Sequence, residues 1–395
     1  MASFQEVAKE MELAGRQGAE DDEERVTPLE LFFDLVFVFA ITQVTAFIAA
    51  DPTWKGLARG LLILALIWWA WAAYAWLTNA LDTEADRTRL VMFLAMAAMF
   101  LAALAIPHAF NDDALLFAIS YSVVRAAHVL LYGYAANDVD VQQAVLRFAP
   151  AVAIAGILLI AASFLDGYAQ GALWAAAITI DYAGPAIAGM EGWKLHPGHF
   201  AERHGLVIII AFGESIVAIG VGAGGLALDA GVVAAAVLGI VTAAALWWAY
   251  FDVVAIVAER RLRQARGVAQ NAMARDSYSY IHVMLIAGIV LVALGGKKTI
   301  AAVDEPLKLV PAVALCGGVS VYLLGHIAFR LRNIGTLNLQ RLVVAAVAAA
   351  LIPVATQIDA LATLGLIAAL TSGLIAYEAI RFREARSRVR GAVHA

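Results

Sequence analysis

The stretch Thr27-Pro28-Leu29-Glu30-Leu31-Phe32-Phe33-Asp34-Leu35-Val36-Phe37-Val38-Phe39-Ala40 starts like a helix and continues as a lipid-compatible one that contains two acids. Thr27 as N-cap, Pro28 at the first helical position and Glu30 three residues past the cap make a capping box, which satisfies the free amides of a helix start. The Glu30 carboxylate also suits the positive end of the helix dipole, so its expected role is structural. Asp34 lies one turn on, on the same face and about 6 Å deeper at 1.5 Å per residue. It cannot serve the cap. A carboxylate at that depth either pairs with a buried cation or lines a wet path.

The rest of the chain is of one kind with this stretch. It is 63% hydrophobic and 15% charged over 395 residues, with mean hydropathy +0.81, far outside the range of soluble domains. Apolar segments near the roughly 20 residues of a spanning helix recur from end to end. Twelve are expected, at roughly 29–50, 57–80, 88–107, 113–135, 146–165, 170–190, 203–224, 229–252, 277–295, 307–329, 341–358 and 361–380. Turn-forming residues such as Asp51-Pro52-Thr53 and Asp166-Gly167 separate them. The expected fold is therefore an all-α polytopic membrane protein. Cys316 is the single cysteine, so no internal disulfide can form.

Twelve spans put both termini on one side. With the termini inside, the basic residues left outside are Lys55, Arg59, Lys297, Lys298 and Lys308, and Arg125 falls within a span. The basic run at 260–266 and the C-terminal tail then lie inside, as the positive-inside rule requires. The segment Arg260 to Arg275 reads as a solvated inner-face helix, placed where it could touch anionic lipids.

The two halves resemble each other. Phe32-Phe33-Asp34 precedes Trp68-Trp69-Ala70-Trp71, and Phe212-Gly213-Glu214 precedes Trp247-Trp248-Ala249-Tyr250 at nearly the same spacing. Leu90-Val91-Met92-Phe93-Leu94-Ala95 answers His282-Val283-Met284-Leu285-Ile286-Ala287, and His128 answers His326. The order implies an acidic tail over 1–24, a six-helix repeat over 25–191, a second over 192–381 and a basic tail over 382–395. An even number of helices per repeat gives parallel topology, with a pathway expected at the repeat interface.

These blocks carry a resemblance. The 27–38 stretch, the residues Glu202-Arg203-His204-Gly205-Leu206 leading to Gly213-Glu214-Ser215-Ile216-Val217, and Trp247-Trp248-Ala249-Tyr250-Phe251-Asp252 resemble the signature blocks of the bacterial low temperature requirement A family. The resemblance covers about 25–385. It implies a protein of the bacterial inner membrane with a link to growth in the cold, and it implies no substrate. Arg25, Phe33-Asp34 and Ala40-Ile41-Thr42 are also similar to the first-helix signature of the lysosomal potassium and proton channel family, with Phe in place of a small polar residue before the Asp. The pore role this implies for Ile41 is an analogy of fold.

Several polar residues stand inside the expected spans. Asp34 and Glu214 occupy corresponding places in the two repeats, and Glu214 has no cap to serve. Asp181 sits mid-span before Gly184-Pro185. Arg125 is the one basic side chain placed near mid-membrane, and Asp181 or Asp34 is its expected partner. His128, His282 and His326 have the chemistry for proton relay, but a lone membrane histidine is more often hydrogen-bonded packing. His196, His199, Glu202 and His204 are the sole candidates for a metal site, but a helix would turn His199 and His204 apart. Arg203 and His204 are expected at the inner headgroups. Nothing resembles a phosphate loop, a dinucleotide fingerprint or a hydrolase elbow.

The sequence thus favours a non-enzymatic ion pathway for protons or a small cation, with Asp34, Glu214, Asp181, Arg125, His128, His282 and His326 as site residues and Thr27, Pro28 and Glu30 as the cap. No cofactor and no nucleic-acid partner are expected, and a homodimer is. A membrane sensor or scaffold linked to cold growth, and a lipid-modifying enzyme built on the 196–204 segment, remain the alternatives.

Overall fold

The computed structural model describes residues 25–135, 139–384, 386 and 387. The acidic tail, and Arg388 and Arg390 of the basic tail, lie outside the described residues. Those described form helices: α1 Pro28–Ala50, α2 Trp54–Ala80, α3 Asp86–Ala105, α4 Ala114–Ala135, α5 Val139–Ala162, α6 Gly167–Ala188, α7 Pro197–Ala223, α8 Ala230–Phe251, α9 Val254–Gln264, α10 Gly267–Met273, α11 His282–Ala301, α12 Leu309–Ala312, α13 Gly318–Ile334, α14 Leu339–Ala350, α15 Ile352–Ala355 and α16 Ala360–Arg381. The chain is an all-α polytopic membrane protein.

Polar punctuation sets the helix ends. Thr53 accepts the Gly56 N–H to cap α2, Asp229 accepts the Val232 N–H to cap α8, and Asn338 accepts the Arg341 N–H to cap α14. Gly335, at φ 76°, stops α13 in the left-handed conformation.

Among the described residues ten helical runs are long and apolar enough to cross a membrane, against the twelve expected. The two shortfalls have local causes. The sixth position forms a full helix of 22 residues, α6, but Gln170, Asp181 and its glycines dilute its apolarity. The eleventh, Leu339–Ala355, is shorter and broken at Leu351 into α14 and α15. Pro353 at the start of α15 lacks an N–H and its ring crowds the preceding turn, which ends the helix there. Two other runs are longer than expected. Ala230–Gln264 extends α8 with the basic helix α9, and Gly267–Ala301 joins α10 to α11 through a wide π-helical turn at Ala274–Ile281.

α2 is the most enclosed of the ten, with 78% of its apolar window buried. Trp68, Trp69 and Trp76 contact the π-helical turn. Trp68 Nε1 donates to the Ser279 carbonyl (2.7 Å), Trp76 Nε1 donates to Ser279 Oγ (2.9 Å), and Trp69 stacks on both Tyr182 and Tyr280. A π turn leaves carbonyls off the normal ladder, which frees acceptors for such donors.

α11 and α13 approach through glycine, the usual device where lipid supplies no hydrophobic drive to helix association. A Cβ on Gly288 would meet the Tyr322 N at 2.7 Å and the Gly318 O at 2.8 Å, both backbone atoms. Gly288→Ala is therefore expected to destabilise the protein by about 1–3 kcal/mol, the usual range for overpacking. Gly373→Ala, with nothing within 4 Å, should leave it unchanged. Apparent Tm in detergent checks this, and equal Tm values for the two variants would refute the close approach.

Candidate functional site

The capping box forms, and it is one part of a larger cluster. Thr27 N–H donates to Glu30 Oε2 (2.9 Å), and Thr27 Oγ1 accepts the Glu30 N–H (3.4 Å). The same carboxylate accepts from Arg203 Nη1 at 2.7 Å through Oε1, and from His199 at 3.0 Å through Oε2. Arg203 then spans one helical turn of α1. Its Nη2 donates to Asp34 Oδ1 (2.7 Å), and Nη1 also reaches Thr78 Oγ1 (2.9 Å). Trp71 Nε1 donates to the same Asp34 oxygen at 2.9 Å, and its ring lies 5.6 Å from the guanidinium carbon. Glu30, Asp34 and Arg203 are all essentially inaccessible to solvent.

The network fixes the protonation of His199. Asn79 Oδ1 accepts the His196 N–H (2.7 Å), which identifies its other atom as the amide nitrogen. That nitrogen donates to the His196 carbonyl and to His199 Nδ1, both at 3.0 Å. Nδ1 is thus an acceptor, and Nε2 carries the proton that Glu30 receives. The cluster holds two carboxylates and one fixed positive charge, the Arg203 guanidinium. Asp34 Oδ2 has no partner.

Further along the same seam, Glu214 of α7 is buried against α1. The Thr42 hydroxyl donates to Glu214 Oε2, and Thr45 lies beside it. The cation nearest in influence is Lys297 of α11. The contacts between α1 and α7 keep a nearly constant offset, 169 residues for Asp34 with Arg203 and 172 for Thr42 with Glu214. The two helices therefore run parallel and in register.

Arg125 of α4 pairs with Asp181 of α6 through Nε (3.1 Å) and Nη2 (2.6 Å), and Tyr121 O–H donates to Asp181 at 3.3 Å. Asp34 takes no part in that pair. The expectation that Arg125 is the one buried cation is corrected by two others. Arg203 is buried inside the protein because α7 begins at Pro197, six residues before the expected start of the span, and its first turns pack against Glu30 at the start of α1. Arg341 of α14 is buried on Glu378 (3.0 and 2.8 Å) and the Ala249 carbonyl. The signal for Arg203 was Pro197 at a first helical position. Arg341 and Glu378 carried no spacing signal, since they sit on different helices.

The histidines separate. His282 Nδ1 donates to the Ser277 carbonyl (2.9 Å), and its Nε2 accepts the Tyr250 O–H (2.9 Å), which holds it neutral. His204 donates through Nδ1 to the Phe200 carbonyl (2.8 Å) inside a cage of Trp68, Trp71 and Tyr278. His128 packs among Tyr74, Tyr132 and Phe148, and His326 between Tyr250 and Tyr322. The candidate metal ligands do not converge. His199 faces Glu30, His204 faces the aromatic cage, His196 is exposed, and Glu202 accepts the Val26 N–H at the surface. Among the described residues no group of three or more His, Cys, Asp or Glu could hold a metal ion.

A model of the family described as bacterial low temperature requirement A protein (LtrA) matches residues 25–376, which takes in both acid-bearing helices and the aromatic segments. The chain belongs to the LtrA family. An uncharacterized protein of Rhizobium meliloti (strain 1021) is 28% identical over 319 residues, covering 77% of this chain and 76% of its own length. The Glu30–Arg203–Asp34 cluster of this LtrA protein lies within the matched residues 25–376.

Removing Arg203 leaves two buried carboxylates without their charge partner. Arg203→Met is expected to destabilise by about 3–5 kcal/mol, the range for breaking a buried pair. Glu30→Gln, Asp34→Asn and Arg203→Met combined should recover most of that loss. Apparent Tm and the yield of monodisperse protein measure both. An Arg203→Met protein as stable as wild type would show that the cluster does not hold α1 to α7.

Proposed function

We propose that this protein forms a pathway for protons or a small monovalent cation along the seam between α1 and α7. The observation that carries this reading is the charge count on that seam. Three buried carboxylates, Glu30, Asp34 and Glu214, stand along it, and the one buried guanidinium answers the first two. Buried acids in spanning helices are functional candidates by default because their desolvation is costly. Glu214 is bound by threonine hydroxyls rather than by a guanidinium, and carboxylate plus hydroxyl oxygen is the donor set of a hard cation or a transferable proton.

The roles follow from depth. Glu214 is the site that exchanges its proton or cation. Asp34, with one oxygen on Arg203 and Trp71 and the other unpartnered, is the second. About 12 Å of helix separates Asp34 from Thr42 at 1.5 Å per residue, and Phe37, Ala40 and Ile41 are buried over that interval. Passage therefore requires the seam to open, which a pair of parallel helices in register allows by a rigid-body displacement of one against the other. Placing the basic helix α9 and the C-terminal residues of α16 inside a bacterial inner membrane follows the distribution of Lys and Arg.

Protein reconstituted in vesicles should show cation or pH-gradient-driven flux. Glu214→Gln is expected to reduce it at least tenfold, and Asp34→Asn to reduce it with a smaller change in Tm than Arg203→Met. Flux unaltered in both carboxylate variants would overturn the assignment of the seam.

A further inference from the structure

Four helix ends meet in the second half of the chain: the last turns of α8, α13 and α16 and the first turn of α14. Between them lies a cavity of about 460 Å³, lined in part by Trp248, Asp252, Arg330, Arg341, Glu378 and Arg386. At about 30 Å³ for each water molecule, it holds the equivalent of roughly fifteen.

The charges on its wall do not cancel. Arg341 is bound to Glu378 (3.0 and 2.8 Å), whose carboxylate also accepts from Asn338 Nδ2 (3.3 Å). Arg386 is bound to Asp252 through Nε and Nη2, at 2.5 and 2.7 Å. Both acids on the lining are thus engaged, and Arg330 is the third guanidinium. Its Nε donates to Thr336 Oγ1 (2.9 Å) across the turn at Gly335, and among the described residues it forms no ion pair. Arg330 is half-buried, so its two terminal nitrogens keep their donors for a ligand. The planar fork they form matches two oxygens of a phosphate. The other polar side chains on the lining, His326, Asn338 and Gln340, carry no negative charge.

The cavity continues into an apolar groove. Gln340 lines both spaces, and beyond it the groove runs between α14 and α16 past Val343, Leu370, Gly373 and Tyr377. No charged side chain lines it. A Cβ on Gly373 would meet nothing within 4 Å, so the two helices stand apart there. From Tyr377 to Ala369 the groove follows α16 for about 12 Å at 1.5 Å per residue. Trp248 and Phe382 on the cavity and Tyr377 on the groove are exposed, the placement of aromatic side chains at headgroup level.

We propose that this is a binding site for an anionic phospholipid, with its phosphodiester on Arg330 and an acyl chain in the groove between α14 and α16. Basic pockets between spanning helices are suited to such headgroups. One surplus guanidinium matches the single charge of a phosphodiester. A zwitterionic lipid would bring an ammonium group against three arginines whose acids are already engaged. A free phosphate or an acidic peptide answers Arg330 but leaves the groove empty. The site is separate from the seam between α1 and α7 and does not rest on the flux reading.

The test titrates purified full-length protein in a neutral detergent, at constant ionic strength, with phosphatidylglycerol, phosphatidylcholine or inorganic phosphate. Phosphatidylglycerol should raise the apparent Tm saturably, as ligand linkage requires. Half-saturation should come at a concentration at least tenfold below that of phosphatidylcholine, and inorganic phosphate should leave Tm unmoved. Arg330→Gln breaks no ion pair and should raise the half-saturating phosphatidylglycerol at least tenfold. Gly373→Leu fills the groove and should weaken both phospholipids. Native mass spectrometry should find one phosphatidylglycerol retained per chain in wild type and none in Arg330→Gln. Equal responses to the two phospholipids, or equal phosphatidylglycerol binding by wild type and Arg330→Gln, would overturn the proposal. A phosphate response matching that of phosphatidylglycerol, with Gly373→Leu binding like wild type, would also overturn it and leave an anion site without a lipid.

Discussion

A guanidinium inside an apolar bundle has to be answered by acids, and the geometry at Arg203 follows from that requirement. Its two terminal nitrogens face carboxylates one helical turn apart, Glu30 and Asp34, so a single side chain on α7 fixes both the azimuth and the height of α1. The fork shape of the guanidinium makes this a register contact and not merely an attraction. Trp71 and Thr78 complete the shell from α2. Three helices separated widely in sequence are thereby joined at one point, and the parallel course of α1 and α7 up to Glu214 is set from there.

The cap at Thr27 shows how local and tertiary demands converge. The capping box and the dipole both favour Glu30 at that position, and the Arg203 contact uses the oxygen the cap leaves free. Asn79 extends the same logic outward by orienting His199, whose other ring nitrogen faces Glu30. The acid in excess is thus a property of the whole cluster and not of any one residue.

The all-helical membrane fold was legible in the sequence because apolar run length reports directly on it. The helix start at Thr27 was legible too, since a cap is encoded within four residues, whereas Thr53 was read only as part of a turn. The pairing of Arg125 with Asp181 was anticipated as one of two choices, from the scarcity of cations at that depth. Pro197-Gly198 was legible as the entry into the seventh span, but the burial of Arg203 was not, because the protein that encloses it is not written in its own helix. Arg341 and Glu378 stood beyond sequence reading for the same reason, as neither helix signals which face meets the other. The break at Leu351 was available from Pro353 alone. The two-repeat layout is an expectation drawn from matched motifs alone.

The π-helical turn before α11 has a consequence for how the polypeptide is measured. Such a turn holds one residue more than an α-helical turn of the same rise, so the chain carries slack between Met273 and His282. The buried faces of α10 and α11 are consequently out of phase by about one residue step, near 100° at 3.6 residues per turn. A periodicity extrapolated from α10 would turn His282 away from Tyr250, which it in fact meets. Removal of a single residue here would tighten the coil into an uninterrupted α-helix and withdraw the Ser279 carbonyl from Trp68. Chain length at this joint is therefore a specification in its own right, as strict as the identity of the side chains it presents.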